Sequence, residues 1–202
     1  MIIKTVIFDL GKVLLNYSFK NTYKYWSEKS GVPEEKLENS FSADEQYKQH
    51  EIGNITIEQY HQHLCKVLSM NISLEDFIIG WNSMFIGLYP NTINILNQIG
   101  NKTQKVLLSN TNKTHTIFLH KHYQQLLDHL DIVFFSNEIQ KRKPNEETYL
   151  YIINKCGVNP EEALFFDDLE ENIDGARKVN INSVLVKDPN EIENDLRKFS
   201  II

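Results

Sequence analysis

Four short polar clusters carry the residue types that catalysis uses. They are Asp9 at the end of Thr5-Val6-Ile7-Phe8, Ser109-Asn110 at the end of Lys105-Val106-Leu107-Leu108, Lys143-Pro144, and Asp167-Asp168 after Ala163-Leu164-Phe165-Phe166, with Asn172 close behind. A carboxylate can attack an electrophile or bind a cation, an ammonium group neutralises an anion, and hydroxyl and amide groups hydrogen-bond one. Taken singly, each cluster also has a structural explanation. Asp168 with Glu171 three residues later has the pattern of a capping box, and Ser109-Asn110-Thr111 that of a helix cap. Lys143-Pro144-Asn145-Glu146-Glu147 reads as an ordinary helix start, with proline and acids around the first turn. What separates the functional reading from the structural one is where the clusters fall in the fold.

The elements that must position them are legible as apolar runs. The runs 4–9, 105–109, 131–135, 163–167 and 183–186 are rich in apolar, β-branched and aromatic residues, too short for helices and apolar on both faces. Segments with helical spacing lie between them, at about 91–100, 114–129, 145–156, 170–179 and 189–198. Such alternation predicts an α/β fold: a Rossmann-like parallel sheet with helices on both faces. Ligands of such sheets bind at the carboxyl ends of the strands, which is where Asp9, Ser109 and Asp167 fall. Residues 16–88 break the rhythm: they show helical periodicity, many aromatics and no convincing strand. They are expected to form an inserted helical cap of about four helices, with joints near Asn16 and Tyr89-Pro90, leaving 1–15 and 89–202 as the core domain.

Composition narrows the function classes. The 202 residues are 41% hydrophobic and 24% charged, which suits a globular chain of one domain with one insertion. Lys plus Arg number 21 against 27 Asp plus Glu, a net charge of −6 without a basic cluster, so nucleic acid is not an expected partner. No apolar run approaches a membrane span and Met1-Ile2-Ile3-Lys4 leads straight into the first strand, so neither membrane nor secretory signal is expected. Cys65 and Cys156 form no CxxC pair, as expected of reduced thiols in a cytoplasmic protein.

In order, Phe8-Asp9-Leu10-Gly11-Lys12-Val13-Leu14, Leu108-Ser109-Asn110, Lys143-Pro144 and Phe166-Asp167-Asp168-Leu169-Glu170-Glu171-Asn172 resemble the four motifs of the haloacid dehalogenase-like hydrolase superfamily. The resemblance spans nearly the whole chain, with residues 16–88 in the place of that family's N-terminal cap. The first and last motifs are most similar to the branch that contains glucose 1-phosphate phosphatases and the N-terminal phosphatase domain of soluble epoxide hydrolase. The resemblance implies a phosphomonoester hydrolase in which Asp9 attacks phosphorus and water cleaves the aspartyl-phosphate. It implies Mg²⁺ held by the Asp9 carboxylate, the Gly11 carbonyl and the Asp168 carboxylate, with Asn172 and Asp167 in support. Asp167 is the weaker candidate for direct ligation, because Asn172 stands four residues after Asp168. Lys143 would neutralise the phosphate, and Ser109 with the Asn110 main-chain amide would hydrogen-bond it. The implied partner is a small phosphorylated metabolite, possible substrates including a sugar 1-phosphate, and the implied assembly a monomer or homodimer.

One position departs from the pattern. The phosphatase motif places a second aspartate two residues after the nucleophile, and this chain has Gly11 there. Gly11 can offer a carbonyl but cannot carry a proton, and general acid help is typically worth about 10²–10⁴-fold. Three explanations stand open: a leaving group that needs little protonation, a substitute group from the cap or Lys12, or slow turnover in a domain that mainly binds phosphorylated ligands. Dehalogenation is a weaker alternative, since the dehalogenases use a cap arginine and Arg142, Arg177 and Arg197 all lie outside 16–88. The histidines read as solvated or packing residues: His61 and His63, like His120 and His122, are two apart, and His61 with Cys65 makes only two ligands. Tyr17, Phe19, Trp26 and Tyr47 could line a sugar-sized pocket or form bundle core. Asn16, Tyr17 and Lys20, near the hinge, are the specificity candidates.

Overall fold

Five of the apolar runs pair as a parallel sheet in the computed structural model, which describes residues 2–202; Met1, the first residue of the expected core, lies outside the described residues. In chain order the strands are β1 (Thr5–Phe8), β2 (Leu15–Tyr17), β3 (Phe85–Leu88), β4 (Gln104–Ser109), β5 (Ile132–Phe135), β6 (Ala163–Asp167) and β7 (Asn182–Leu185). The sheet order is β5-β4-β1-β6-β7, with Phe8 opposite both Leu107 and Phe166. Asp9 continues the ladder by donating its N–H to the Phe166 carbonyl at 2.8 Å. Asp9 and Asp167 are thereby set side by side at the carboxyl edge.

The helices are α1 (Phe19–Ser30), α2 (Glu34–Ser40), α3 (Glu45–Glu51), α4 (Ile57–Val67), α5 (Leu74–Asn82), α6 (Thr92–Gln98), α7 (Lys113–His122), α8 (Gln124–Leu127), α9 (Ser136–Ile139), α10 (Glu146–Cys156), α11 (Glu170–Lys178) and α12 (Ile192–Lys198). Side chains alternate across the sheet, so its two faces bury different helices. Val6, Phe8, Leu107 and Phe166 pack with Ile95, Leu96, Leu119, Leu126, Ile192 and Leu196 of α6, α7, α8 and α12. Ile7, Val106, Leu108 and Phe165 pack with Tyr149, Ile152, Ile173 and Ala176 of α10 and α11. Both faces are covered, which is why the strands read as continuous apolar runs.

Helices α1 to α5 have an aromatic core of their own, containing Tyr23, Trp26, Tyr60, Phe77 and Trp81. Trp26 stacks on Phe77 and Trp81 with centroids 4.8 and 5.7 Å away, and its Nε1 donates to the Phe77 carbonyl at 3.1 Å. Both chain crossings into this layer run through a second sheet, the antiparallel ribbon of β2 with β3, which has a register shift at Asn16/Tyr17.

Several expectations need correction. Segment 16–88 holds five helices rather than about four, and it contributes two strands where none was expected. β2 and β3 are only three and four residues long and mostly half-buried, too short to impose a period. The expected helix 114–129 breaks at Tyr123 into α7 and α8, and 189–198 begins with a 3₁₀ turn at Pro189–Glu191. The capping box of Asp168 with Glu171 does not form: Leu169 is the N-cap of α11 and makes no side-chain cap bond. The cap of α7 is Asn112, whose Oδ1 accepts the His115 N–H, rather than Ser109-Asn110-Thr111. No helix among the described residues is long and apolar enough to cross a membrane.

Candidate active site

The carboxyl edge of the sheet opens into a cleft of about 230 Å³, floored by Asp9, Gly11, Ser109, Asn110, Lys143, Asp168 and Asn172. β1 supplies Asp9, β4 supplies Ser109, β6 leads to Asp168, and the first turn of α11 supplies Asn172. All seven residues expected from the sequence thus meet in one cleft.

Lys143 is its electrostatic centre. The ammonium is only 1% exposed and lies 2.5 Å from Asp9 Oδ1 and 2.6 Å from Asp167 Oδ2. A cation this deep is stable only when paired. Asn110 fixes its backbone, with Oδ1 accepting the Lys143 N–H at 2.9 Å and Nδ2 donating to the Lys143 carbonyl at 3.0 Å. The Asn110 side chain is therefore a clamp on the lysine loop. Gly175 permits α11 to close on the same loop: a Cβ there would stand 2.5 Å from the Pro144 carbonyl oxygen.

Asp167 is fully buried and saturated. Its second oxygen accepts the Leu169 N–H and Asn172 Nδ2, each at 2.9 Å. Asp168, half-buried, lines the cleft instead. Burial pushes Asp9 up to about 7 against the pull of Lys143, with Asp167 adding to the rise. Burial works to lower Lys143, but Asp167 and Asp9 outweigh it and hold the ammonium above its ordinary value. Asp168 is also raised, by burial and then by Asp167.

This donor set fits a divalent cation of the Mg²⁺ type. Among the described residues no group of three or more His, Cys, Asp and Glu side chains is arranged to hold a metal. Mg²⁺ does not require one, since one or two carboxylates plus water usually suffice. The buried Asn172 Oδ1 has no hydrogen-bond partner, an acceptor suited to a metal-bound water. The cleft also has acids beyond what Lys143 neutralises, so an anionic ligand needs a further positive charge there.

The walls contain residues that sequence reasoning missed. Arg142 reaches the cleft from outside 16–88, and its Nε donates to Glu51 Oε2 of α3 at 2.9 Å. The Ser136 hydroxyl lies 2.6 Å from the Glu51 carbonyl, a second tie between α3 and the sheet side. The identity of Arg142 beside Lys143 was the only local signal; its partner is too distant in sequence to be inferred. Tyr17, Phe19 and Tyr47 line the cleft, whereas Trp26 is bundle core and Lys20 is exposed. Asn16 Oδ1 is occupied by Lys12 Nζ at 2.8 Å.

The family model described as haloacid dehalogenase-like hydrolase matches residues 3–180. The chain belongs to the haloacid dehalogenase-like hydrolases. Among relatives within this family, a protein named Phosphatase MT3486 from Mycobacterium tuberculosis is 25% identical over 195 residues, covering 92% of this chain and 88% of its own length. The structure of the family enzyme BT-2542 from Bacteroides thetaiotaomicron, a complex with magnesium and inorganic phosphate, matches with a TM-score of 0.79 at 25% identity, covering 92% of this chain and 94% of that one. A protein described as a predicted HAD-like family hydrolase from Porphyromonas gingivalis shares the fold with a TM-score of 0.83 at 21% identity, covering 98% of both chains. The haloacid dehalogenase-like fold, a mostly parallel sheet flanked by helices, and hydrolase membership agree with the sequence reading.

Proposed function

We propose that the chain is a Mg²⁺-dependent phosphomonoester hydrolase that acts through an aspartyl-phosphate on a small phosphorylated metabolite. Residues 16–88 would serve as a cap over a core of 1–15 and 89–202. The observation that carries this reading is the Asp9 carboxylate at the open end of the sheet, touched by a lysine that Asp167 anchors from behind. Arriving phosphate would draw Lys143 onto its own oxygens and free Asp9 to attack in line. Ser109 and the Asn110 amide would hold the remaining oxygens, so catalysis is positioning plus charge neutralisation. Asp9, the Gly11 carbonyl and Asp168 would hold the Mg²⁺, with Asn172 behind them. When bound, the ion supplies the positive charge that brings the phosphoryl group up to an acidic cleft.

The names of the Mycobacterium relative and of the Bacteroides complex support phosphate chemistry. A sugar 1-phosphate suits the walls, where Tyr17, Phe19 and Tyr47 stand beside the Glu51–Arg142 pair. A second reading, a module that binds phosphate esters with little turnover, is favoured by the lack of a side chain at Gly11. The deciding experiment measures phosphate release from glucose 1-phosphate, glucose 6-phosphate and an aryl phosphate, with Mg²⁺ or EDTA, for wild type and Asp9→Asn. Release that needs Mg²⁺ and disappears in the variant supports the hydrolase. Binding of the esters without release supports the module.

A further inference from the structure

In the proposed reaction one atom has no attendant: the ester oxygen that keeps the electron pair when its bond to phosphorus breaks. Around Asp9, Lys143 is engaged by two carboxylates, the Asn110 side chain by the Lys143 backbone, and Glu51 by Arg142. The space a side chain at position 11 would need is filled. A Cβ on Gly11 would lie 2.6 Å from Tyr17 Cε1, 3.1 Å from Cδ1 and 3.7 Å from Cζ, the carbon that bears the hydroxyl. Glycine at this position and the tyrosine at 17 are therefore one arrangement: the ring takes up the volume that glycine leaves.

The ring is held firmly. Lys12, turned at φ +57°, sends its Nζ to the Tyr17 carbonyl at 2.6 Å and lies over the ring 5.0 Å from its centroid. Phe19 meets it edge-on at 5.9 Å, and Tyr17 pairs with Phe85 in the ribbon. Burial pushes the Tyr17 phenol well up, Asp168 and then Asp9 add to the rise, and Tyr17 lines the cleft.

We propose that Tyr17 replaces the side chain missing at position 11, its hydroxyl donating a hydrogen bond to the ester oxygen of the substrate as the P–O bond breaks. This rests on the hydrolase reading above. Asp9 forms the new bond to phosphorus and the ester oxygen leaves with the electron pair. That oxygen takes its proton from water, and the phenol stabilises it until the proton arrives. The resulting hydroxide cleaves the aspartyl-phosphate, returning Asp9 as carboxylate and releasing hydrogen phosphate. A donor of this kind serves leaving oxygens of moderate basicity, such as the anomeric oxygen of an aldose 1-phosphate, better than simple primary alkoxides.

The test is kcat/KM with Mg²⁺ for 4-nitrophenyl phosphate, phenyl phosphate, glucose 1-phosphate and glucose 6-phosphate. Tyr17→Phe keeps the ring and the ribbon but removes the donor. Its loss is expected to be about ten- to a hundredfold greater for the sugar phosphates than for the nitrophenyl ester, whose leaving oxygen needs no help. Gly11→Asp together with Tyr17→Ala puts a carboxyl in the vacated space and is expected to recover the sugar phosphates relative to Tyr17→Ala alone. An equal loss on all four esters, or none, would overturn the assignment of Tyr17 while leaving hydrolysis standing. Absence of any Asp9-dependent release would remove the hydrolase reading, and this inference with it.

Discussion

Glu51, the last residue of α3, and Arg142, the neighbour of the buried lysine, form an ion pair at 2.9 Å that joins the helical layer to the sheet side of the cleft. Burial raises Glu51, and Arg142 pulls in the opposite direction. Glu51→Ala leaves the guanidinium without its partner and is expected to cost about 2 kcal/mol, less than a fully buried pair because Arg142 keeps some access to water. Denaturant unfolding of Glu51→Ala, Arg142→Ala and the double variant measures it. Single losses that simply add in the double variant would mean that the pair contributes no coupling.

Lys143→Met should lower kcat/KM on any accepted phosphate ester by about 10²–10³-fold, the usual consequence of losing a charge aimed at the reacting group. Lys143→Arg is not expected to rescue it. The buried slot holds a point charge 2.5 Å from Asp9 and 2.6 Å from Asp167, a geometry that a longer, planar fork does not reproduce. Steady-state kinetics on both variants decides this, and recovery by arginine would argue against the slot.

Removing the proposed metal ligand should be visible without any substrate. Mg²⁺ at about a hundred times its dissociation constant would stabilise the folded chain by about 2.7 kcal/mol. Thermal melts with Mg²⁺ or EDTA should therefore shift in the wild type and stay unmoved in Asp168→Ala. Asn172→Ala, losing only the support behind the ion, should keep a reduced shift. An undiminished shift in Asp168→Ala would move the metal elsewhere.

Two buried histidines work against the fold on acidification. Burial pulls His115 down to about 3 and His50 to about 4. Their folded values lie below the unfolded value of about 6.5, so on acidification the unfolded chain takes up protons first. Their contribution is fully present above pH 6.5 and is lost as pH falls toward the folded values, at up to about 1.4 kcal/mol per pH unit for each group. Denaturant midpoints between pH 7.5 and 5 are compared in wild type and variant, since Asp9, raised to about 7, works in the opposite direction equally in both. In His50→Phe the midpoint should hold up better as pH falls: the variant keeps an aromatic ring over Tyr60, now 4.5 Å away, and removes two ring nitrogens that have no partner. Identical slopes would show that His50 titrates normally.

The sheet was legible because strands buried on both faces leave continuous apolar runs, and each run ends where the next polar residue must meet the cleft. That logic located Asp9, Ser109 and Asp167-Asp168 from sequence alone. It carried no information about β2 and β3, whose few half-buried residues impose no pattern, nor about Tyr123, where a bundle-like period runs on although the backbone breaks. The Glu51–Arg142 pair and the ring of Tyr17 over Gly11 are products of packing between segments that the sequence does not align. The absence of a side chain at position 11 was visible at once; what fills its place was not.

Tyr17 belongs to one of the two strands through which the chain enters and leaves the helical layer. The phenol and the crossing are a single piece of backbone, pinned by Lys12. Tyr17 also packs against the sheet's core cluster, so the phenol is held over Gly11 from the sheet side. In the proposed hydrolase the donor would thus stay with the nucleophile, in place before any ester arrives.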